Sequence, residues 1–170
     1  VGGWGLRLKT EDMAKFGQML LQKGKWNGKQ IVPQSWVEEA TSFQIMSKGS
    51  DSTLPKELND WEQGYGYQFW MGRHNSFRVD GLGGQFIIIL PEKDAVVVLT
   101  SAASNTQEEL NMVWDNLLPA MQDKPLPEDK MTSAQLAKRI ATLAFPGITS
   151  SSPSAMLKRI SGKRIEAAQN

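Results

Sequence analysis

Two short apolar runs constrain this chain more than any other feature. Phe86 to Leu90 and Ala95 to Leu99 are apolar at every position, and only Pro91-Glu92-Lys93-Asp94 separates them. Runs this short, rich in β-branched residues and parted by a Pro-containing turn, read as strands rather than helices. So brief a connection forces them to lie side by side and antiparallel. Since both sets of alternating positions are apolar, both faces of this sheet need cover. The flanking sequence must therefore supply two layers.

It contains the elements to do so. Phe77 to Leu82, cut by Gly81, Gly83 and Gly84, predicts a strand before the first run. Gly64 to Gly72 alternates, with Tyr65, Tyr67, Phe69 and Met71 on one side and Trp70 on the other, and predicts another strand. With short turns between them, these strands form a meander. One covering helix is expected near 10–23, with Thr10 as N-cap and Met13, Phe16, Gly17, Leu20 and Leu21 as its apolar face. Gly24 is its stop. The other is expected near 106–118, with a stripe of Leu110, Val113, Trp114, Leu117 and Leu118. Between the first helix and the sheet lie a tiny hairpin at 25–32 around Asn27-Gly28 and a short helix after Pro33. Residues 42–63 have no sustained period and read as a long loop. The fold class is α+β, an antiparallel sheet with flanking helices.

After Met121 the pattern changes. Residues 1–122 read as one domain portion and 123–131, with two prolines and mixed charge, as a linker. Residues 132–170 read as a helix, capped by Thr132 or Ser133 with Leu136, Ile140 and Leu143 inward, followed by the start of a further, truncated module.

Composition removes several function classes. With 19 Lys plus Arg against 18 Asp plus Glu, no electrostatic reason exists to expect nucleic acid or an anionic membrane as partner. There is no cysteine, which excludes disulfides and thiolate catalysis, and His74 is the single histidine, which excludes a multi-His metal centre. No apolar run approaches the roughly 20 residues that span a bilayer.

The segment Gly2-Gly3-Trp4-Gly5 leading to Glu11-Asp12-Met13-Ala14-Lys15-Phe16-Gly17 resembles the serine β-lactamase-related hydrolases, which include class C β-lactamases, penicillin-binding proteins and esterases. So do Gly24-Lys25-Trp26-Asn27-Gly28-Lys29-Gln30-Ile31-Val32, Gly64-Tyr65-Gly66-Tyr67-Gln68-Phe69-Trp70 and Asp80-Gly81-Leu82-Gly83-Gly84-Gln85. Together they cover roughly residues 2–120. The resemblance implies a partial β-lactamase/transpeptidase-like fold and a parent enzyme that hydrolyses an amide or ester through an acyl-serine, without cofactor or metal. It suggests export from a bacterial cell by analogy alone.

Two of the family's catalytic motifs are absent from these residues. No Ser has a Lys three positions later, and no Tyr or Ser has an Asn two positions later. Both motifs precede this segment in the family's order, so the chain reads as the C-terminal portion of a catalytic domain, inactive alone. Its partners would be the missing N-terminal part of its own chain and a small amide or ester substrate such as a β-lactam or D-amino-acid derivative. Its open sheet edge would favour self-association.

The third motif, Lys/His-Thr/Ser-Gly, aligns with Val79-Asp80-Gly81. The resemblance then implies Gly81 as the point of close backbone approach and Leu82 as backbone oxyanion donor, with Val79, Asp80, Gly83 and Trp70 toward the substrate. Val79 in place of a cation, and an acid at Asp80, disfavour a substrate carboxylate there. The alternative is a non-catalytic ligand- or peptide-binding module. His74 reads as a solvated turn residue, and Glu57, Asp60 and Glu62 around Trp61 as a solvated charge cluster.

Overall fold

A computed structural model describes residues 5–48, 53–124, 126–144, 159 and 161–162. The chain divides into two compact units, Val1–Leu126 and Pro127–Asn170. Among the described residues no helix is long and apolar enough to cross a membrane.

The first unit is built on a four-stranded antiparallel sheet in the order β3–β4–β5–β6. The strands are β3 (Trp70–Met71), β4 (Phe77–Gly81), β5 (Gln85–Leu90) and β6 (Ala95–Thr100). β5 and β6 pair along their whole length, from Gln85 opposite Thr100 to Leu90 opposite Ala95. Pro91–Lys93 forms a single helical turn between them, and Asp94 closes it with a left-handed backbone (φ 47°).

The period-two geometry of β5 explains why every residue in it after Gln85 is apolar. Ile87 and Ile89 face one layer, where they meet Met19, Leu20 and Val37, with Val79, Val96 and Val98 packed around them. Phe86, Ile88 and Leu90 face the other, where they meet Leu110, Val113 and Trp114. The two layers are α1 (Thr10–Leu21) and α3 (Thr106–Met112) with its continuation. Phe86, Ile88 and Ile89 are wholly buried. Burying side chains of this size stabilises by about 1.5–3 kcal/mol each.

Several local expectations shift. Thr10 opens α1 rather than capping it, and Lys9 holds the cap position without a side-chain hydrogen bond. The helix buries Gly17, Met19 and Leu20, while Phe16 faces solvent. α1 ends at Leu21, and Gly24, the expected stop, closes the turn that follows it. Its φ of 84° suits glycine, its N–H donates to Met19 O, and a Cβ there would collide with Val32 O. The hairpin β1 (Lys25–Trp26) and β2 (Lys29–Gln30) turns on Asn27 and Gly28, both with positive φ. It leads into α2 (Gln34–Ala40).

The long strand expected at 64–72 does not form. Tyr65 bridges to Trp70, and Gly66 N–H donates to Phe69 O at 2.7 Å, closing a tight turn in which Gln68 has φ 67°. Tyr67 therefore leaves the sheet and stacks on Trp36, while Phe69 meets Phe77 edge-on. Beyond α3 the chain widens into a π-helical turn over Val113–Leu117. That extra width carries Leu117 out of the apolar stripe to the surface, and Leu118 still packs inward.

In the second unit, α4 (Lys130–Ala141) is capped by Asp129, whose carboxylate accepts from the Thr132 N–H, rather than by Thr132 or Ser133. Leu136, Ile140 and Leu143, expected inward, are exposed. The expected further module lies almost entirely outside the described residues.

Candidate functional site

β4 and β5 are joined by a three-residue turn, 82–84, beyond the Gly81–Gln85 pair. Gly83 and Gly84 both have positive φ. The segment after β6 clamps this turn from one side. Ser101 Oγ donates to Gly83 O at 2.8 Å, the Ala103 N–H donates to the same oxygen at 3.0 Å, and Gln85 Nε2 donates to Ser101 O. Gly84 is pressed so close to the Glu109 carboxylate and Ser101 Oγ that any Cβ would overlap both. The turn is thus held from below, and the Leu82 side chain projects fully into solvent. Among the described residues, no hydrogen bond engages the Leu82 N–H.

Above the turn lies an open hollow of about 700 Å³. Asp80, Gly81, Leu82 and Gly83 form one side of it. Ala103, Ser104 and the start of α3 form a second, and Leu54, Asn59 and Trp61 from the long loop a third. Four of the six expected site residues therefore converge here. The other two lie elsewhere. Val79 packs in the cluster beneath α1, because odd positions of β4 face that layer. Trp70 packs edge-on against Tyr65, 4.9 Å between ring centroids.

The loop that supplies the third side is anchored by charge. Asp60, expected in a solvated cluster, is completely buried. Its Oδ2 accepts from Arg73 Nε at 3.0 Å, Gln107 Nε2 at 2.7 Å and Trp114 Nε1 at 3.0 Å. Its Oδ1 accepts from the Arg73 N–H at 3.2 Å. Arg78, from β4, is also fully buried. It donates from Nη1 to Asp60 O at 3.0 Å and from Nε to Asp80 Oδ2 at 3.2 Å. Its guanidinium lies 4.8 Å from the Trp61 ring and 5.6 Å from the Trp70 ring. Burial pulls the Arg78 pKa down, while Asp80 and then Asp60 pull it back up. Burial pushes the Asp80 carboxyl above its ordinary value, against the opposing pull of Arg78. His74 lies in a turn with φ 58° and is exposed, its ring 5.1 Å from that of Trp114.

No protein-family model matches the chain. Over 103 residues it is 29% identical to a 6-aminohexanoate-dimer hydrolase of Paenarthrobacter ureafaciens, a stretch that covers 58% of this chain and 25% of the relative. A solved structure of a Bacillus anthracis protein named for the same activity aligns at 30% identity and a TM-score of 0.47, covering 65% of this chain and 27% of that one. The chain thus spans about a quarter of the length of each of these relatives. Its likeness is to hydrolases.

Sequence reasoning missed most of what positions the hollow. Asn59, Trp61, Ser104 and Asn105 line it from segments with no periodic signal, and Thr106 and Gln107 from the first turn of the expected helix, ahead of its apolar stripe. Ser101 and Glu109 left one usable trace, a serine directly after an apolar strand and an acid on the inner side of the following helix.

Proposed function

We propose that these residues form one wall of an amide-hydrolysing pocket whose attacking serine belongs to polypeptide beyond this sequence. The observation that carries the reading is the hollow edged by Gly81, Leu82 and Gly83, with the Leu82 N–H unengaged at its rim. A carbonyl oxygen seated there would accept from Leu82 N–H, and that hydrogen bond would strengthen as the oxygen gains charge. The serine would add to the carbonyl carbon, the C–N bond would break with proton delivery to the departing amine, and water would release the acyl group. The named activity of the relatives makes an amide between ω-amino acids the substrate class to test first.

A second reading is a ligand-binding module without chemistry. The absence of Ser-x-x-Lys and of Tyr-x-Asn or Ser-x-Asn from these 170 residues favours it. Labelling with a fluorescent fluorophosphonate separates the two. The proposal expects no labelled serine in the 170-residue chain, and a labelled serine upstream when the complete reading frame is expressed. It also expects the complete protein to cleave the linear 6-aminohexanoate dimer. A complete protein that neither labels nor cleaves supports the binding module, and a labelled serine among Val1–Asn170 overturns the placement of the nucleophile.

A further inference from the structure

An amide between ω-amino acids has an ammonium at one end and a carboxylate at the other. We infer that this wall accepts the end bearing the ammonium and turns the carboxylate away, with Asp80 as the specificity-determining residue. The inference rests on the reading of the hollow as an amide-binding wall.

Among the described residues, Asp80 is the only charged one that lines the hollow, and no lysine, arginine or histidine among them does. Asn59, Ser104, Asn105, Thr106 and Gln107 add neutral polar groups, and Trp61 and Leu54 add apolar surface suited to a methylene chain. Arg78 does not cancel Asp80 from the ligand's side. Its side chain is 1% exposed against 15% for Asp80; its Nε donates to Asp80 Oδ2 and its Nη1 to Asp60 O and Met71 O, while its Nη2 is buried without a partner among the described residues. Arg73, on the far side of Asp60, is paired with it in turn. The start of α3, which borders the hollow, would by itself favour an anion. Glu108 and Glu109 in its first turn oppose that, and the Asn105 side chain already occupies the Glu108 N–H. An ammonium beside Asp80 gains attraction in a half-enclosed site, whereas a carboxylate there meets repulsion and loses its hydration.

Three amides of similar length test this on the 170-residue chain: 6-aminohexanamide as cation, hexanamide as neutral probe and adipic acid monoamide as anion. The readout is the movement of the Leu82 and Gly83 backbone amide signals in ¹⁵N-resolved NMR titrations. The cation should bind about tenfold more tightly than hexanamide, and the anion more weakly than hexanamide. Added salt should shrink the cation's advantage and leave hexanamide unchanged. Asp80→Asn should bring the three affinities together. The salt series needs no variant, so it stands even where Asp80→Asn unfolds the protein. Equal binding of all three probes, a preference for the anion, or a cation preference that survives in folded Asp80→Asn overturns the inference and leaves the amide wall intact. If no probe moves Leu82 and Gly83, the amide wall itself falls, and the inference with it.

Discussion

Asp60 shows how much one side chain decides here. Its carboxylate accepts from Arg73, just before β4, and from Gln107 and Trp114, on α3 and its continuation. Replacing it by alanine would strand the Arg73 guanidinium and the Trp114 N–H in a buried site. Asp60→Ala should therefore cost about 3–5 kcal/mol, read as a lowered urea midpoint. Nothing in the sequence announced this burial, because its partners lie 13 to 54 positions away with no periodicity to link them. Asp80 makes a prediction of different sign. Burial raises its folded pKa above the ordinary 3.8, so its contribution to stability is present below that value and is lost as pH rises through the raised one. The difference in unfolding free energy between wild type and Asp80→Asn should therefore shift against wild type as pH climbs from about 3.8 through the raised pKa, and urea melts at a series of pH values measure it. A flat difference would mean that Asp80 titrates alike in both states.

Among the elements, legibility followed the strength of the period. Phe86 to Leu90 of β5 and Ala95 to Leu99 of β6 are apolar at every position and bounded by a turn, so their pairing and their need for two covers could be read directly. The segment at 64–72 alternates just as cleanly, yet it folds into a tight turn with Gln68 in left-handed backbone. Alternation reports which side chains are apolar, and a hairpin of aromatics can satisfy it as well as a strand does. The stripe after α3 failed at Leu117 because a π-helical turn changes the angular step per residue. In α1, Gly17 is a helical glycine for a steric reason. A Cβ there would lie 2.6 Å from Val96 Cγ1 and 2.7 Å from Ile87 Cγ2. Gly17→Ala gains about 1 kcal/mol of helix propensity, but overpacking costs about 1–3 kcal/mol, so the net effect should be destabilising. Val96→Ala in the same chain should remove most of that loss. A double-mutant cycle in urea checks it, and independent effects would show that α1 lies further from the sheet than described.

For the molecule as a whole, the fold class, both covering layers and the β4–β5 side of the hollow could be read, while its other two sides could not. The hollow is assembled from the β4–β5 turn, the start of α3 and a loop distant in sequence, and such convergence leaves no local mark. Among the described residues β6 has a strand partner on one side only. Its run of Ala95 to Leu99 is free of charge and proline, so the chain is expected to self-associate through that edge at high concentration. Light scattering that shows a monomer throughout would count against it. The hydrogen bonds to Asp60 have a kinetic corollary. One carboxylate fastens the loop beside the hollow to the helix that borders it, and the Asp60 and Arg73 amides both donate into that fastening. Those amides should exchange with deuterium in step, as members of one cooperative opening. The cleft would then have no hinge of its own: its rim comes away only when the neighbouring sheet and helix melt too.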